Sequence, residues 1–380
     1  MKKKEMLFIK IGAWLVTAAL SVAVFSLFRQ EVLLLATDIA VFAVKSYLPV
    51  KDLSDDEKEI TVNVTAEVTS ETRKETTTHA ETTKPKEEKS SLTDIDSDIK
   101  KLISEREKTA DKDKKDSDIK EYQYINDGVT DKYGRVRVKN VNKTQIDIEK
   151  KLEEKIDLSV TKDKPAVLIF HTHTTETYQI LDRGFYEEGF MTRSNDKGRN
   201  MVRVGDAICE QIEKAGYKVI HDTAIYDAKY SGAYDRSRKG VEQYLKKYPS
   251  IQIVLDIHRD AIQQNNGTKI KPVAEIDGKK AAQLMIISGC QEEGNSVTNL
   301  PDWQYNLTFA VHLQNKLEEM YEGITRPLYF CPRSYNMNLT HCSLLVEVGS
   351  DSNTLDEAVY AGKCLGTAVA EILKEYEEQK

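Results

Sequence analysis

The chain has 380 residues, with 62 acidic and 55 basic side chains and a net charge of −7. That balance, with no basic face carrying interleaved aromatics, argues against a nucleic-acid partner. Five cysteines without a CxxC pair argue against a disulfide framework, and the length allows one large domain or two ordinary ones.

Lys2, Lys3 and Lys4 precede Ile11 to Phe28, 18 residues without a charge, and Arg29 closes the run. This is close to the roughly 20 residues that span a bilayer, and longer than the apolar core of a cleaved signal peptide. The flanking charges predict a single membrane anchor with a cytoplasmic N-terminus and everything after it outside. Val32 to Val50 is apolar but broken by Asp38 and Lys45, so it reads as an interfacial or packed helix. Residues 1–50 therefore form an anchor and a juxtamembrane segment. Residues 51–121 contain no Phe, Trp or Tyr and are rich in Thr, Glu, Lys, Asp and Ser. Such a stretch cannot bury enough apolar surface to offset chain entropy and predicts a disordered linker. Residues 122–161 regain Tyr and Val, and Val136-Arg-Val-Lys-Asn-Val alternates like a short exposed strand at the entry to a domain.

From residue 162 to 380 the texture is globular. Ala166–Phe170 predicts a strand, Arg199–Ala215 a helix stopped by Gly216, and Tyr217–His221 a strand. A helix over Arg236–Lys247 ends before Pro249, and Ile251–Ile257 is apolar on both faces, as a central parallel strand is. Strands follow at Ala281–Ser288, Thr325–Phe330 and Leu344–Val348, with helices at Trp303–Tyr321 and Thr354–Tyr376. Alternating strands and helices predict an α/β fold, a three-layer domain with a mostly parallel central sheet flanked by helices.

Three of these strands end in residues suited to hydrolytic chemistry. His171-Thr-His173-Thr-Thr-Glu176 follows the first, Asp256-Ile-His258-Arg259-Asp260 the one at 251–257, and Glu347 stands inside the last. Sites in open α/β sheets form at the carboxyl ends of strands. Two imidazoles and a carboxylate can hold Zn2+, leaving a position for water and a separate carboxylate to move protons. His173, Glu176 and His258 are the expected ligands, with His171 either an alternative ligand or a group that orients one. Glu347, in an apolar strand, is the expected general base; the structural alternative is a buried pair with Arg326 or Arg333. Arg259, Asp260, Arg333, Tyr335, Asn336 and Asn338 are candidate groove residues. His221, His312 and His341 lack a carboxylate at ligand spacing or sit in a helical pattern, and His79 lies in the linker.

The pieces Phe170-His-Thr-His-Thr-Thr-Glu176-Thr-Tyr178, Asn200-Met-Val-Arg-Val-Gly205, Tyr234-Asp-Arg-Ser237, Asp256-Ile-His-Arg-Asp260 and Val346-Glu-Val-Gly349 together resemble the stage II sporulation protein P family. That family is similar to zinc-dependent N-acetylmuramoyl-L-alanine amidases. The resemblance implies hydrolysis of the bond between muramic acid and the stem peptide, with stem-peptide cross-links as a second target. It also implies action on peptidoglycan in the intermembrane space of the sporulation septum during engulfment, beside the lytic transglycosylase called stage II sporulation protein D. His258 and Glu347 correspond to the second His and the terminal Glu of the amidases. Their Glu ligand precedes the helix near Asn200, where this chain has Asp196 and Lys197, so Glu176 takes that role. The alternative is a non-enzymatic peptidoglycan-binding scaffold of the engulfment machinery.

Overall fold

The computed structural model describes residues 92–378 apart from residue 113, all within one unit, Pro85–Lys380. In chain order the elements are α1 (Ser97–Glu107), β1 (Lys115–Tyr122), β2 (Asp131–Tyr133), β3 (Val136–Asn140), α2 (Ile148–Glu153) and β4 (Pro165–Phe170). Next come β5 (Phe185–Glu187), α3 (Met201–Lys214), β6 (Lys218–His221), α4 (Ala233–Lys247), β7 (Ile253–Asp260) and β8 (Lys269–Ile276). The chain continues through β9 (Lys279–Ala282), β10 (Leu284–Gly289), α5 (Trp303–Met320), β11 (Leu328–Cys331), β12 (Cys342–Ser350) and α6 (Leu355–Glu375). The expected anchor, the Val32–Val50 segment and most of the linker lie outside the described residues. Among the described residues no helix is long and apolar enough to cross a membrane.

Eight strands form one sheet in the order β2-β3-β11-β10-β12-β7-β4-β6, and five of its seven pairings are parallel. β6, β4, β7 and β12 run together as one parallel block; β10 turns antiparallel against β12 and begins a second block with β11 and β3. One face packs Val167, Ile169, Leu255, Ile257, Leu344 and Val346 under α3, α5 and α6. On the other face Leu168, Phe170 and Val254 meet Val241 of α4. Those helix–sheet–helix layers follow from β4 and the start of β7, Ile253 to Leu255, being apolar on both faces.

Local signals account for the helix ends. The Asn200 side chain caps Val202 N–H, and α3 stops where Gly216 takes a φ of +90°. Thr354 and Glu357 cap each other's backbone at the start of α6.

A second, four-stranded sheet, β5-β1-β8-β9, lies outside the sequence expectation. The strand expected over Ala281–Ser288 divides at Gln283: Lys279–Ala282 pairs in the small sheet and Leu284–Gly289 in the large one. β3 is buried, since Val136 and Val138 are fully covered and Arg137 pairs with Glu318 at 3.0 Å. It is an inner strand, between β2 and β11, which corrects the expectation of an exposed one. The linker expected to reach residue 121 contains α1 and β1. Ile99 of α1 is 1% exposed, and Asp96 joins Lys363 of α6 and Arg203 of α3.

Candidate active site

β4, β7 and β12 are neighbours, and their carboxyl ends bring the expected residues together. Register pairs Phe170 with Asp256, Leu345 with Asp256 and Glu347 with His258. Because side chains alternate along a strand, Asp256, His258 and Glu347 share one face. The turn after β4 supplies the rest: Glu176 N–H donates to the His173 carbonyl at 3.2 Å, so His173 and Glu176 are the two ends of one closed turn.

That turn is pinned from several sides. Thr172 donates its N–H and its hydroxyl to Asp256 at 2.8 and 2.7 Å, and its Oγ1 lies 2.7 Å from Ser237 Oγ on α4. The Thr174 hydroxyl lies within bonding distance of the His171 and Ala224 carbonyls, 2.7 Å from each. Arg193 bridges Glu176, at 3.4 Å, and Asp227. Asp227 also accepts from Thr175 Oγ1 at 2.7 Å and lies 4.0 Å from His173 Nδ1. Neither Arg193 nor Asp227 stands in a strand or an expected ligand spacing, so sequence reading had no signal for them.

The His173 ring lies edge-on to His258, 5.2 Å between centroids, and stacks on Tyr230 at 4.8 Å. Burial, then His258 and Arg193, lower its pKa to about 4, so it stays neutral with Nδ1 buried and without a hydrogen-bond partner. His258 Nδ1 is 4.0 Å from Glu176 Oε2, and its Nε2 is 2.8 Å from Asp256 Oδ1 but not aligned as a hydrogen bond. Burial lowers the His258 pKa, but Asp256, Glu176 and Glu347 outweigh it and raise it to about 9. Burial raises Glu176 and pushes Glu347 up to about 8. Glu347 Oε2 has no hydrogen-bond partner, and Arg326 spends its guanidinium on Asp260 at 2.9 Å.

Three carboxyl groups with raised or competing demands for positive charge, beside two imidazoles with unpartnered nitrogens, make a patch that a cation would satisfy. The donor types suit zinc: two imidazoles and one carboxylate as ligands, with a second carboxylate left over. Among the described residues just one set of three such donors lies within 4.8 Å of each other, and it is Glu121, Asp182 and Glu357. Those three converge on Lys271 Nζ at 3.0, 2.8 and 2.7 Å, so an ammonium already fills their centre. His173, Glu176 and His258 are spaced more widely than that set.

His171 lies apart from the patch. Its Nδ1 faces the Ile257 carbonyl at 2.9 Å and must donate, which leaves Nε2 to accept from His221 Nε2 at 2.9 Å. His221 Nδ1 reaches Asp206 at 2.9 Å. Burial and His221 lower the His171 pKa to about 3, keeping it neutral. Both ring nitrogens are thus engaged, and His171 orients β7 from behind.

Other expected residues separate by role. Arg259 donates to the Thr177, Thr192 and Asp260 carbonyls, so it clamps the turn to β7 and has no donor fork free for substrate. Tyr335 and Asn336 both have positive φ, +37° and +59°. This strained pair is held by Tyr335 stacking on Tyr234 at 5.4 Å and by Asn336 Nδ2 donating to the Tyr234 carbonyl at 3.0 Å. Asn338 accepts from Arg238 at 2.7 Å, and Arg333 is exposed. His312 faces the Lys151 and Glu154 carbonyls, and His341 pairs with Asp157, both away from the patch.

A parallel-stranded α/β domain with an acid- and imidazole-rich patch at adjacent strand ends is the architecture of many hydrolases. The family model for stage II sporulation protein P matches residues 29–370, and the chain belongs to that family. The stage II sporulation protein P of Bacillus subtilis (strain 168) is 27% identical over 224 residues, 56% of this chain and 52% of that protein. The chain thus spans about half the length of this curated relative. Among solved structures, the CwlD amidase from Clostridioides difficile in complex with the GerS lipoprotein is 15% identical, with a TM-score of 0.34, covering 56% of this chain and 98% of that one. N-acetylmuramoyl-L-alanine amidase AmiC2 of Nostoc punctiforme is 11% identical, with a TM-score of 0.32 over 56% and 96%. A likeness of that size says nothing about chemistry.

Proposed function

We propose that this chain is a zinc-dependent peptidoglycan hydrolase that cleaves the muramoyl-L-alanine amide, with stem-peptide cross-links as a second target. The observation that supports it most is the patch itself: His173, Glu176, His258 and Glu347 gather at the ends of three adjacent parallel strands. His173, Glu176 and His258 would hold the metal, which supplies Lewis-acid polarisation of the amide carbonyl and a more acidic water.

The chain's own residues do the rest. Glu347 is oriented by β12 beside His258 and has a buried oxygen without a partner. As a carboxylate it accepts the proton of the attacking water and returns it to the leaving amine nitrogen. A neighbouring dication favours that ionised form against the burial that raises its pKa. Asp256 sets its charge 2.8 Å from His258 Nε2, and the Arg193 and Arg259 contacts hold the Glu176 turn so that little reorganisation is needed. We further read the N-terminal segment as a membrane anchor that keeps this domain at the septal wall, beside a lytic transglycosylase such as stage II sporulation protein D.

Digestion of purified sacculi, with and without chelator, tests the reading. Mass spectrometry of the products should show free stem peptides and peptide-less glycans, and chelation should abolish both. Sacculus binding without any release of fragments would favour the scaffold alternative instead.

A further inference from the structure

Beyond Glu347 no helix packs on this face of the large sheet, although Leu345, Ile287 and Cys331 are themselves buried. α4 covers this side only over β4, β6 and β7, and the apolar cluster of Leu345, Ile287 and Cys331 includes no helical residue. Met285 and Tyr329 extend that floor as partly buried residues. Register runs across it without a break: Glu347 opposite Met285, Ile287 opposite Tyr329, and Tyr329 opposite Lys139. A groove of about 480 Å³ joins Lys139, Tyr329, Ile287, Met285, Arg326 and Asp260.

The charges in that groove are not equivalent. Asp260 is tied to Arg326 at 2.9 Å, and Asp127 accepts from Tyr122 Oη at 2.7 Å and from Ile125 N–H at 3.2 Å. Lys139 is exposed, with Nζ 5.7 Å from the Tyr329 ring centre; Arg333 is not part of the groove lining but is exposed two residues beyond the end of β11, its guanidinium 3.4 Å from the Pro332 carbonyl. Among the described residues neither forms an ion pair. We propose that this groove is a subsite for a carboxylate-bearing peptide, with Lys139 in its wall and Arg333 beyond its end as the anion-binding groups. The proposal rests on the hydrolase reading of the adjoining patch and deepens it, by saying on which side of Glu347 the peptide portion lies.

Reach supports the assignment. Lys139 is three strands away from Glu347, which at about 4.8 Å per strand, plus the two-residue offset between Met285 and Ile287, is on the order of 15 Å. An extended peptide of four or five residues covers that distance at about 3.3 Å each. Its apolar side chains would meet Met285, Ile287 and Tyr329 along the groove, and its carboxylate the two cations. The loop carrying Tyr335 and Asn336, fixed on α4, walls the groove on the side of Arg333.

The test uses the full chain carrying Glu347→Gln, so that the peptide stays intact. Calorimetric titration compares Ala-Glu-Lys-Ala with its amidated counterpart Ala-Gln-Lys-Ala-NH2. The carboxylate-bearing peptide should bind tighter by about fivefold to tenfold, the worth of one or two charge-assisted contacts at a partly exposed site. Lys139→Ala and Arg333→Ala should each erase most of that preference, while Lys139→Arg retains it. In the otherwise unmodified chain the same two alanine changes should raise KM and leave kcat alone. Equal affinity for the two peptides, or a preference untouched by both variants, overturns the subsite. The titration needs no turnover, so a chain that discriminates the peptides but never cleaves sacculi would refute the hydrolase reading and leave this one standing.

Discussion

An alanine at Gly205 would put its Cβ 2.7 Å from His171 Nε2 and in collision with His221, both packed where α3 crosses the sheet. Gly205→Ala should therefore cost roughly 1–3 kcal/mol in denaturant unfolding, the range of overpacked cores, although alanine is the better helix former. His171→Ala should keep its metal and lose stability, because it frees the buried Ile257 carbonyl. Loss of zinc from that variant would make His171 a ligand. Glu347→Gln should be folded, metal-loaded and slower by on the order of 10²–10⁴, because the amide cannot take up a proton. Turnover near the unmodified rate, measured on sacculi, would reduce Glu347 to a structural role. At this scale the sequence was informative where a residue type was costly in its setting. A Glu inside an apolar strand marked itself, whereas the close approach at Gly205 emerged only with the fold. Asp227, Arg193 and Tyr230 come from loops whose conformation no periodicity dictates, and they emerged only with the fold.

Among the elements, α1 sits in a stretch that composition assigns to a disordered linker. Its Ile99, Leu102 and Ile103 follow helical spacing, but the segment is too charged to fold alone, and its order comes from packing and from Asp96. Burial raises the Asp96 pKa, yet Lys363 and Arg203 outweigh it and lower the value below 3.8. A depressed carboxylate stabilises the folded state above its unfolded pKa and loses that contribution as pH falls through the folded one. α1 should therefore loosen selectively below about pH 4, seen as faster amide exchange over Ser97–Glu107 than in α3. A chain starting at Leu92 should melt like the longer one, whereas a chain starting at Lys108 should melt lower. Equal melting of the two would mean that α1 contributes nothing to the domain. The small sheet was illegible for a related reason: β1 reads Lys-Asp-Ser-Asp-Ile-Lys-Glu-Tyr, and its pairing with β5 and β8 is set by distant partners.

For the whole molecule, the parallel block β6-β4-β7-β12 was legible because apolar, β-branched strands alternate with capped helices. The site followed from it, since strand ends that are neighbours in a parallel sheet must converge. The antiparallel turn at β10 was not legible, as Ala281–Ser288 carries no sign of which sheet each half joins. Yet that reversal lays β10, β11 and β3 beside Glu347 as a floor that no helix packs against. In the proposed function, His173, Glu176 and His258 together hold a metal that Glu347 serves without binding. Zinc content per chain, measured on purified protein after exhaustive dialysis, tests this most directly. About one zinc is expected in the unmodified chain and in Glu347→Gln, and nearly none in His173→Ala, Glu176→Ala or His258→Ala. Full zinc in His258→Ala, or none in the unmodified chain, would contradict it.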